Sequence, residues 1–263
     1  EGAGALLLSL RFIPKFGLAG GLWRGVFHGV SAFCNAGFDL LGGYSGAFSS
    51  LAGFNDDPVV LLTTAALITV GGLGFFVWED VLQHRRWKKL SLYSRLVLSL
   101  TAALILFGAL FFFAVEYRNP ATLGPMPLWQ KGLNALFQSV TLRTAGFDAL
   151  GQGGLTDSSL ALSVIFMLIG GSSGSTAGGL KTATVGVLLL ALRSGLMGET
   201  EGLKTMGIVL NEAALKQSML GMGIQGTFND LDEATKVQVR FNAILAQTSD
   251  AQQDVTRTAG SYT

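Results

Sequence analysis

Two long apolar stretches set the strongest limit on how this chain can fold. Residues 59–78 and residues 96–115 are each 20 residues long, and neither stretch contains a charged side chain. A helix of about 20 apolar residues is long enough to cross the hydrocarbon core of a bilayer. The two stretches therefore predict membrane-spanning helices and an all-α membrane protein surrounded by a lipid bilayer.

The composition of the whole chain agrees with a membrane protein. Only 13% of the 263 residues are charged and 49% are hydrophobic, whereas a soluble domain carries about 25% charged residues. The formal net charge is +1 and no basic stripe stands out, which excludes a nucleic-acid binder. The chain has one cysteine, so no disulfide can form within it.

Further apolar stretches are shorter or interrupted. Residues 160–192 are apolar, but Gly and Ser residues at positions 170–181 interrupt them. Residues 5–13 resemble the end of a span whose beginning is missing, so we expect the chain to be a fragment with a cut N-terminal edge. Residues 84–95 contain a basic run, and short loops rich in Lys and Arg stay in the cytoplasm. This predicts a multi-pass protein of the plasma (inner) membrane with loop 84–95 inside.

Two semi-polar segments are too short to span a bilayer. Residues 23–34 and residues 129–141 each lead into a glycine, and the predicted orientation requires both to begin and end on the outer side. We interpret them as re-entrant pore helices. The alternative is a pair of amphipathic helices on the membrane surface, although neither segment has the Lys- and Arg-rich face of such helices.

An internal repeat follows these two segments. Residues 36–42 and residues 145–151 agree at six of seven positions and lie 109 residues apart. Each copy follows a candidate pore helix and precedes an apolar stretch. The sequence therefore predicts a repeated hairpin made of a span, a re-entrant pore helix, a filter and a second span.

The repeated glycines suit the binding of a dehydrated cation. Backbone carbonyls can replace the water around a cation, and glycine reaches positive φ without steric cost. The C-terminus of a pore helix adds the negative end of its dipole. An ordinary turn is the alternative for a single Ala-Gly-Phe, but two copies in the same topological place favour a filter. The predicted cation-binding residues are Asn35, Ala36, Gly37, Thr144, Ala145 and Gly146.

Charged residues beside the predicted filter allow several interpretations. Asp39 and Asp148 follow the two glycines, and they either concentrate cations at the mouth or cap the following turn. We expect Arg143 to point away from the cation path and to pair with a carboxylate. We expect His28 to be packed inside the protein rather than to bind a metal.

These motifs resemble a known family. Residues 31–39 and residues 139–147 are similar to the second and third filter segments of the Trk/Ktr/HKT superfamily of potassium transporters. Residues 169–182 resemble the intramembrane gating loop of that family. The resemblance covers residues 1–201 and implies two of four repeats. The implied gate-loop residues are Gly170, Gly171, Ser172, Ser173, Gly174, Ser175, Thr176, Ala177, Gly178, Gly179 and Lys181.

The resemblance also implies an activity. A family member would transport K⁺ through the carbonyl-lined filter, with or without coupling to Na⁺, and would be neither an enzyme nor dependent on a cofactor. It would form a homodimer and bind a cytosolic nucleotide-binding regulatory subunit. The alternative is a non-transporting chimera or fragment.

The Gly/Ser-rich stretch supports a substrate pathway on its own. Irregular backbone survives at membrane depth only where it lines water or is buried in protein, and broken helices mark such pathways. Lys181 is costly in the membrane unless it faces a pore, a partner or the inner surface. Two alternatives remain. Residues 174–182 nearly fit a phosphate-binding P-loop, with Leu180 as one residue too many, and small residues also pack between helices.

The last part of the chain differs in composition. Residues 199–263 carry 5 Lys and Arg and 8 Asp and Glu, against 13 and 9 in residues 1–198. We predict three regions, with residues 1–95 and 96–201 holding one hairpin each and residues 202–263 forming a soluble helical tail of different origin. Residues 232–261 resemble a phage tail tape-measure protein, and the alternative is an unfamiliar cytoplasmic extension.

The tail also carries a detailed secondary-structure prediction. Residues 211–220 predict one helix, and residues 221–229 a connection. Asp230 or Asp232 would cap a second helix that ends near Arg257. We expect this tail to form no membrane span and to make few contacts with residues 1–198.

Overall fold

The computed structural model describes residues 1–46, 48–197, 212–232, 235–236, 238–244 and 246. In these ranges the protein is helical and no β-strand is assigned. The helices are α1 (Gly2–Phe33), α2 (Gly42–Ser45), α3 (Pro58–Leu73), α4 (Phe75–His84), α5 (Leu92–Glu116), α6 (Leu128–Thr141), α7 (Asp157–Leu168), α8 (Thr182–Met197) and α9 (Glu212–Gly221). Short 3₁₀ turns cover Ala52–Phe54, Trp87–Lys89, Gln152–Gly154 and Phe228–Asp230.

The chain divides into two compact units. The first contains Glu1–Gly74 and Thr101–Lys181, and the second contains Phe75–Leu100 and Thr182–Thr263. The first unit holds both copies of the repeat and the Gly/Ser-rich stretch. Its core includes Leu8, Phe12, Phe54, Leu61, Phe137 and Phe147, which are all buried.

Helix α1 is a hairpin with two arms. Gly17 has φ 74° and ψ 171°, which interrupts the helix three residues after Pro14. Glycines at every fourth position of the second arm lie on one face and face the first arm. A Cβ built on Gly25 would lie 2.6 Å from the backbone N of Ser9, and one on Gly29 would lie 3.0 Å from Cβ of Ala5. The second arm, which contains the predicted helix 23–34, therefore folds back against the first.

Helix α6 matches the predicted segment 129–141 within one residue. Its polar side chains are buried, including Gln130, Asn134 and Gln138. The amide of Asn134 donates to the carbonyl of Asn55 at 2.8 Å. A helix lying on a membrane surface would expose these polar groups to water, so the interpretation of α6 as a surface helix is wrong.

Of the two predicted 20-residue spans, one is a continuous helix in the structure and the other is broken. The uncharged stretch 96–115 is confirmed as helix α5, which has the length and hydropathy of a membrane span. The stretch 59–78 is not one continuous helix, because Gly74, with φ 80°, separates α3 from α4. By length and composition the two helices together still pass as one broken span. Asp57 caps α3 by accepting the N–H of Val59 at 3.0 Å. At 1.5 Å per residue the 16 residues of α3 extend about 24 Å, less than the hydrocarbon core.

The apolar stretch 160–192 is broken, as the sequence predicts. Helix α7 ends at Leu168 and α8 begins at Thr182. Residues 170–181, which we call the Gly/Ser loop, lie between them and are not helical. The loop closes where the N–H of Gly170 donates to the carbonyl of Leu180 at 3.0 Å. The P-loop alternative is wrong, because a P-loop follows a strand and this loop follows a helix.

The second unit shows where the described part of the tail packs. Ala243 and Ile244 are buried in one apolar cluster with Leu96 of α5 and Val187 of α8. The expectation of few contacts between the tail and residues 1–198 is therefore wrong. The apolar face of the tail finds a partner within the chain, as amphipathic helices generally do.

The described tail helices agree with two of the sequence predictions. The first is confirmed by α9 (Glu212–Gly221), one residue from its predicted bounds. Asp232 accepts the N–H of Thr235 at 3.1 Å and so begins the next helical residues. The predicted end near Arg257 lies outside the described residues.

Candidate functional site

Each candidate pore helix ends in a short glycine-containing segment. Helix α1 ends at Phe33 and helix α6 ends at Thr141. We call residues 34–38 the first glycine segment and residues 143–147 the second glycine segment. Both segments belong to the first unit.

The two glycine segments have positive φ at equivalent residues. In the first, Asn35 has φ 51° and Gly37 has φ 71°. In the second, Thr144 has φ 66° and Gly146 has φ 86°. Asn35 and Thr144 lie 109 residues apart in the sequence, as do Gly37 and Gly146. The repeat seen in the sequence is therefore also a repeat in φ. Positive φ is uncommon for Asn and Thr, so sequence similarity alone could not establish this agreement.

Matching hydrogen bonds hold the two segments. The hydroxyl of Ser31 donates to the carbonyl of Phe38 at 2.7 Å, and the hydroxyl of Thr141 donates to the carbonyl of Phe147 at 2.6 Å. In each case a side chain near the end of the pore helix anchors the chain that leaves the glycine. The filter candidates are thereby fixed at both ends by their own helices.

The two acidic residues cap turns. Asp39 accepts the N–H of Leu41 at 2.9 Å, and Asp148 accepts the N–H of Leu150 at 3.0 Å. Asp148 also accepts the backbone N–H groups of two further residues, Gly151 and Gln152. Of the two interpretations of these carboxylates, the geometry supports turn capping.

The two glycine segments lie directly against each other. A Cβ built on Gly37 would lie 2.9 Å from Cα of Gly146, and one on Gly146 would lie 3.4 Å from Cα of Gly37. Ala36 lines a cleft of about 250 Å³ together with Thr144, Ala145 and Gly146. The six predicted filter residues are therefore brought to one place.

The chain beyond the first glycine segment is held by two side chains that the sequence analysis did not assign to the site. The N–H of Leu40 donates to Nε2 of His28 at 3.3 Å, and Nε of Arg24 donates to the carbonyl of Leu40 at 3.2 Å. Nδ1 of His28 lies 2.7 Å from the carbonyl of Arg24. Since a carbonyl only accepts and an amide only donates, both contacts require the neutral ring protonated at Nδ1. The expectation that His28 is packed is confirmed by its 1% exposure.

Arg143 connects the second glycine segment to the Gly/Ser loop. Its side chain is buried, and Nη2 donates to the carbonyl of Gly170 at 3.2 Å. The contact fixes the beginning of the loop next to the segment. A carboxylate partner, which we expect from the sequence, is not part of this contact.

The Gly/Ser loop completes the end of helix α3. The last carbonyls of a helix have no partner within it, and here the loop supplies donors. The N–H of Ser172 donates to the carbonyl of Gly72 at 3.0 Å, and its hydroxyl donates to the carbonyl of Leu73. The N–H of Thr176 lies 3.4 Å from the carbonyl of Gly71. The break in the predicted span therefore depends on a loop about 100 residues further along the chain.

The Gly/Ser loop also contacts both glycine segments. The hydroxyl of Thr176 donates to the carbonyl of Phe33 at 2.8 Å and accepts from Nδ2 of Asn35 at 3.1 Å. The N–H of Gly178 donates to the hydroxyl of Thr144 at 3.1 Å. The loop thus lies next to both filter candidates.

The other residues of the Gly/Ser loop stabilise the loop itself. Nζ of Lys181 donates to the carbonyl of Ala177 at 3.0 Å, and the hydroxyl of Ser175 donates to the carbonyl of Ser172 at 2.6 Å. Gly170 lies so close to the carbonyl of Gly178 that a Cβ would not fit. The small residues pack against each other within the loop. Packing of small residues between two helices, the remaining alternative, does not describe this arrangement.

The sequence analysis missed a buried carboxylate that joins the end of α5 to the start of α7. Glu116 is fully buried at the end of α5. Oε1 accepts from the N–H and the hydroxyl of Thr156 and from the hydroxyl of Ser159, at 2.5–3.0 Å. Oε2 accepts from Asn119 and Thr122 at 2.6 and 2.7 Å. Glu116 thereby fixes the start of α7, and its position directly after an uncharged 20-residue stretch is the sequence signal that could have revealed it.

Comparisons with known proteins match this chain to a family of cation transport proteins. The model of a family described as TrkH, cation transport protein, matches residues 9–221. The match extends beyond residue 201, where the resemblance seen in the sequence ends.

Two relatives named as uptake proteins match most of this chain. The chain is 42% identical over 216 residues to the potassium/sodium uptake protein NtpJ of Enterococcus hirae, covering 82% of this chain and 46% of that protein. It is 39% identical over 197 residues to the Ktr system potassium uptake protein B of Bacillus subtilis, covering 75% of this chain and 43% of that protein. The chain therefore spans less than half the length of these relatives.

A solved structure shares the fold. The crystal structure of the potassium transporter TrkH from Vibrio parahaemolyticus matches 92% of this chain and 60% of its own, with a TM-score of 0.55 and 17% sequence identity. At this identity the match supports the fold alone.

Proposed function

Because this chain belongs to the TrkH family of cation transport proteins, we propose that it forms part of the transmembrane path of a potassium uptake transporter. The observation that carries the proposal is the pair of glycine segments, which share positive φ at equivalent residues and lie against each other. An isolated turn would have no reason to recur with the same dihedral angles beside its own copy.

In this proposal the carbonyls of the two glycine segments take the place of water around K⁺. The residues are Asn35, Ala36, Gly37, Thr144, Ala145 and Gly146. The second arm of α1 and helix α6 act as re-entrant pore helices, and the negative ends of their dipoles lie next to the bound cation. Two such segments supply half of the fourfold filter that the family resemblance implies.

The Gly/Ser loop acts as the gate of the path. It lies next to both glycine segments through Thr176 and Gly178, so an ion leaving the filter would meet it. Lys181 adds a positive charge to this barrier. The loop contains no regular helix, so its displacement costs few backbone hydrogen bonds compared with the unfolding of a helix of that length.

The placement in the cell follows from the same proposal. The protein spans the plasma membrane several times, with the basic loop 84–95 in the cytoplasm. It forms a homodimer and binds a cytosolic nucleotide-binding regulatory subunit, as the family resemblance implies. The relative from Enterococcus hirae is named for both potassium and sodium, and coupling of K⁺ to Na⁺ is part of this proposal.

The non-transporting chimera is the less favoured alternative. The family model reaches residue 221, and the described tail packs on α5 and α8. The division at residues 95 and 201 and a separate origin of residues 202–263 stay predictions.

The proposal is tested by one substitution in the second glycine segment. Gly146→Ser places a side chain at φ 86° beside Gly37, and we expect it to lower the selectivity of uptake for K⁺ over Na⁺. The protein is expressed from its native gene at full natural length, and isotope uptake is measured for both ions. Gly153→Ser is the control, because a Cβ there meets nothing within 4 Å. Unchanged selectivity in Gly146→Ser would refute the filter assignment.

A further inference from the structure

Four basic side chains lie together in the loop between α4 and α5. They fall within five residues of the chain and are all exposed, and we call them the basic patch: Arg85, Arg86, Lys88 and Lys89. The ion pairs found among the described residues involve none of the four. Within those ranges the patch therefore carries four positive charges without an acidic partner.

Large apolar side chains are exposed beside these charges. Trp87 lies in the middle of the patch and is 52% exposed, and Leu82 of the preceding helix is 63% exposed. Tryptophan is enriched where a membrane meets water, because its ring is apolar and its N–H is polar. An exposed tryptophan among four positive charges suits a surface that is both anionic and apolar below its outer layer.

A buried carboxylate fixes the loop that carries the patch. Asp80 is 1% exposed, and its Oδ2 accepts the N–H and the hydroxyl of Ser91 at 2.9 and 2.7 Å. Nδ1 of His84 lies 2.8 Å from Oδ1 of the same carboxylate. Both ends of the loop are therefore bound to one side chain, directly before the first residue of α5, Leu92.

Orientation in the membrane does not explain this fixed loop. Lys and Arg residues of a short loop keep it in the cytoplasm, and that role requires charge but no particular conformation. A buried carboxylate is costly unless it is fully hydrogen-bonded, and the charges of the loop could be retained without one. The contacts of Asp80 indicate that the conformation of the loop is used after insertion.

The loop lies close enough to the bilayer to meet lipid headgroups. The uncharged stretch of α5 begins at residue 96, five residues after Ser91, which is about 8 Å along a helix. The headgroup layer on each side of a bilayer is about 5–8 Å thick. Attraction between exposed charges extends over about 10 Å at physiological salt. The long side chains of the patch are therefore within range of lipid phosphates.

We propose that the basic patch binds the phosphate groups of anionic phospholipids in the inner leaflet, with the ring of Trp87 at headgroup level. The proposal rests on the cytoplasmic placement of loop 84–95 in the proposed function, but not on the filter or the gate. The guanidinium groups of Arg85 and Arg86 suit phosphate oxygens by their paired donors, and Lys88 and Lys89 supply point charges. An acidic cytosolic protein would satisfy the charges but not the exposed ring.

The first experiment measures lipid binding directly. The protein is purified at full natural length in a neutral detergent and titrated with phosphatidylglycerol or phosphatidylcholine, and bound lipid is counted by native mass spectrometry. One basic side chain near an anionic surface contributes about five-fold in affinity. Lys88→Gln should therefore weaken phosphatidylglycerol binding about five-fold, and the double variant Lys88→Gln/Lys89→Gln about twenty-five-fold. Binding of phosphatidylcholine should not change.

Two variants serve as controls. Lys88→Arg/Lys89→Arg keeps both charges and should bind phosphatidylglycerol like the unsubstituted protein. Lys216→Gln makes the same chemical change at an exposed lysine of α9, outside the patch. It too should leave the affinity for phosphatidylglycerol unchanged.

The second experiment leaves every charge in place. Loss of basic residues can alter the orientation of a membrane protein, so the lysine variants need a companion that inserts normally. Trp87→Ala keeps the whole patch but removes the ring, and it should weaken phosphatidylglycerol binding by about three-fold or more. If the lysine variants accumulate poorly, Trp87→Ala has to show this loss by itself.

The outcomes separate a lipid from other partners and from the filter. The lipid proposal is wrong if the unsubstituted protein binds both lipids equally, or if neither the lysine variants nor Trp87→Ala lowers phosphatidylglycerol binding. It is equally wrong if the double variant keeps phosphatidylglycerol binding but loses binding of soluble polyglutamate, since the patch would then serve an acidic protein. None of these measurements uses ion transport, so they stand or fall independently of Gly146→Ser.

Discussion

The backbone N–H of Leu51 donates a hydrogen bond of 2.7 Å to the carbonyl of Asp148. This contact joins the chain after the first copy of the repeat to the aspartate of the second copy. The hydroxyl of Ser50 accepts the N–H of Asp148 at 3.3 Å. Both the N–H and the carbonyl of Asp148 are therefore bound by residues that follow the first copy of the repeat. The two hairpins are connected by these polar contacts as well as by apolar packing.

Asp148 should contribute more to stability than its counterpart Asp39. Its carboxylate accepts three backbone N–H groups, whereas that of Asp39 accepts the N–H of Leu41. We expect Asp148→Ala to lower the free energy of unfolding by about 1–3 kcal/mol and Asp39→Ala by about 0.5–1.5 kcal/mol. Thermal unfolding in detergent would measure both.

The matched control is Asp148→Asn, which keeps one carbonyl oxygen as an acceptor and removes the charge. Turn capping predicts that this variant loses only the bond from the N–H of Gln152, so that its stability falls less than that of Asp148→Ala and its K⁺ uptake stays unchanged. A marked loss of uptake at low K⁺ concentration with unchanged stability would show instead that the carboxylate concentrates cations.

The α1 hairpin should tolerate no side chain at Gly25. A Cβ there would lie 2.6 Å from the backbone N of Ser9, and backbone cannot move aside as a flexible side chain can. We expect Gly25→Val to lower the free energy of unfolding by about 1–3 kcal/mol or more. Gly132→Ala in α6 is the control, since a Cβ there meets nothing within 4 Å and should be neutral or stabilising by up to about 1 kcal/mol. Equal stability of both variants would contradict the hairpin.

Glu116 should be a stability-determining carboxylate of the first unit. The carboxylate of Glu116 is the acceptor in five hydrogen bonds from described residues. Glu116→Gln turns an acceptor into an NH₂ group that faces some of these donors. We expect a loss of about 2–4 kcal/mol in the free energy of unfolding, measured by denaturation in detergent. Glu79→Gln, where one side-chain contact with Gln83 is affected, should change stability by less than about 0.5 kcal/mol.

The sequence predicted the elements whose signal is local. Helix α5 follows from an uncharged 20-residue stretch, and the equivalence of Gly37 and Gly146 follows from the repeat. The break at Gly74 was missed although Gly71, Gly72 and Gly74 disfavour a helix there, because the stretch was interpreted by its apolar character alone. The sequence could not show which distant residues complete the break, where Ser172 and Thr176 supply the donors that the end of α3 lacks.

The contacts of Thr176 could not be inferred from the sequence, because they too depend on distant parts of the chain. The sequence identified the Gly/Ser loop by its composition, which treats all of its small residues alike. Only the folded chain distinguishes Thr176, which binds outside the loop, from Ser175, which binds within it. Composition was also misleading for the tail. Its many charges predicted that it would not pack on residues 1–198, whereas a few apolar residues such as Ala243 and Ile244 pack there.

That packing gives the last prediction. Ile244 is fully buried with Leu96 and Val187, so Ile244→Ala leaves a cavity among apolar neighbours. Large-to-small substitutions of this kind cost about 2–4 kcal/mol, and we expect a loss of that size in the stability of the second unit. Leu220→Ala is the control, because Leu220 is 69% exposed and its truncation opens no cavity. Hydrogen exchange of the amides in α8, followed by mass spectrometry, reports on this unit directly. Faster exchange in Ile244→Ala than in Leu220→Ala supports the packing of the tail on α8, and equal exchange would restore the original expectation of an independent tail.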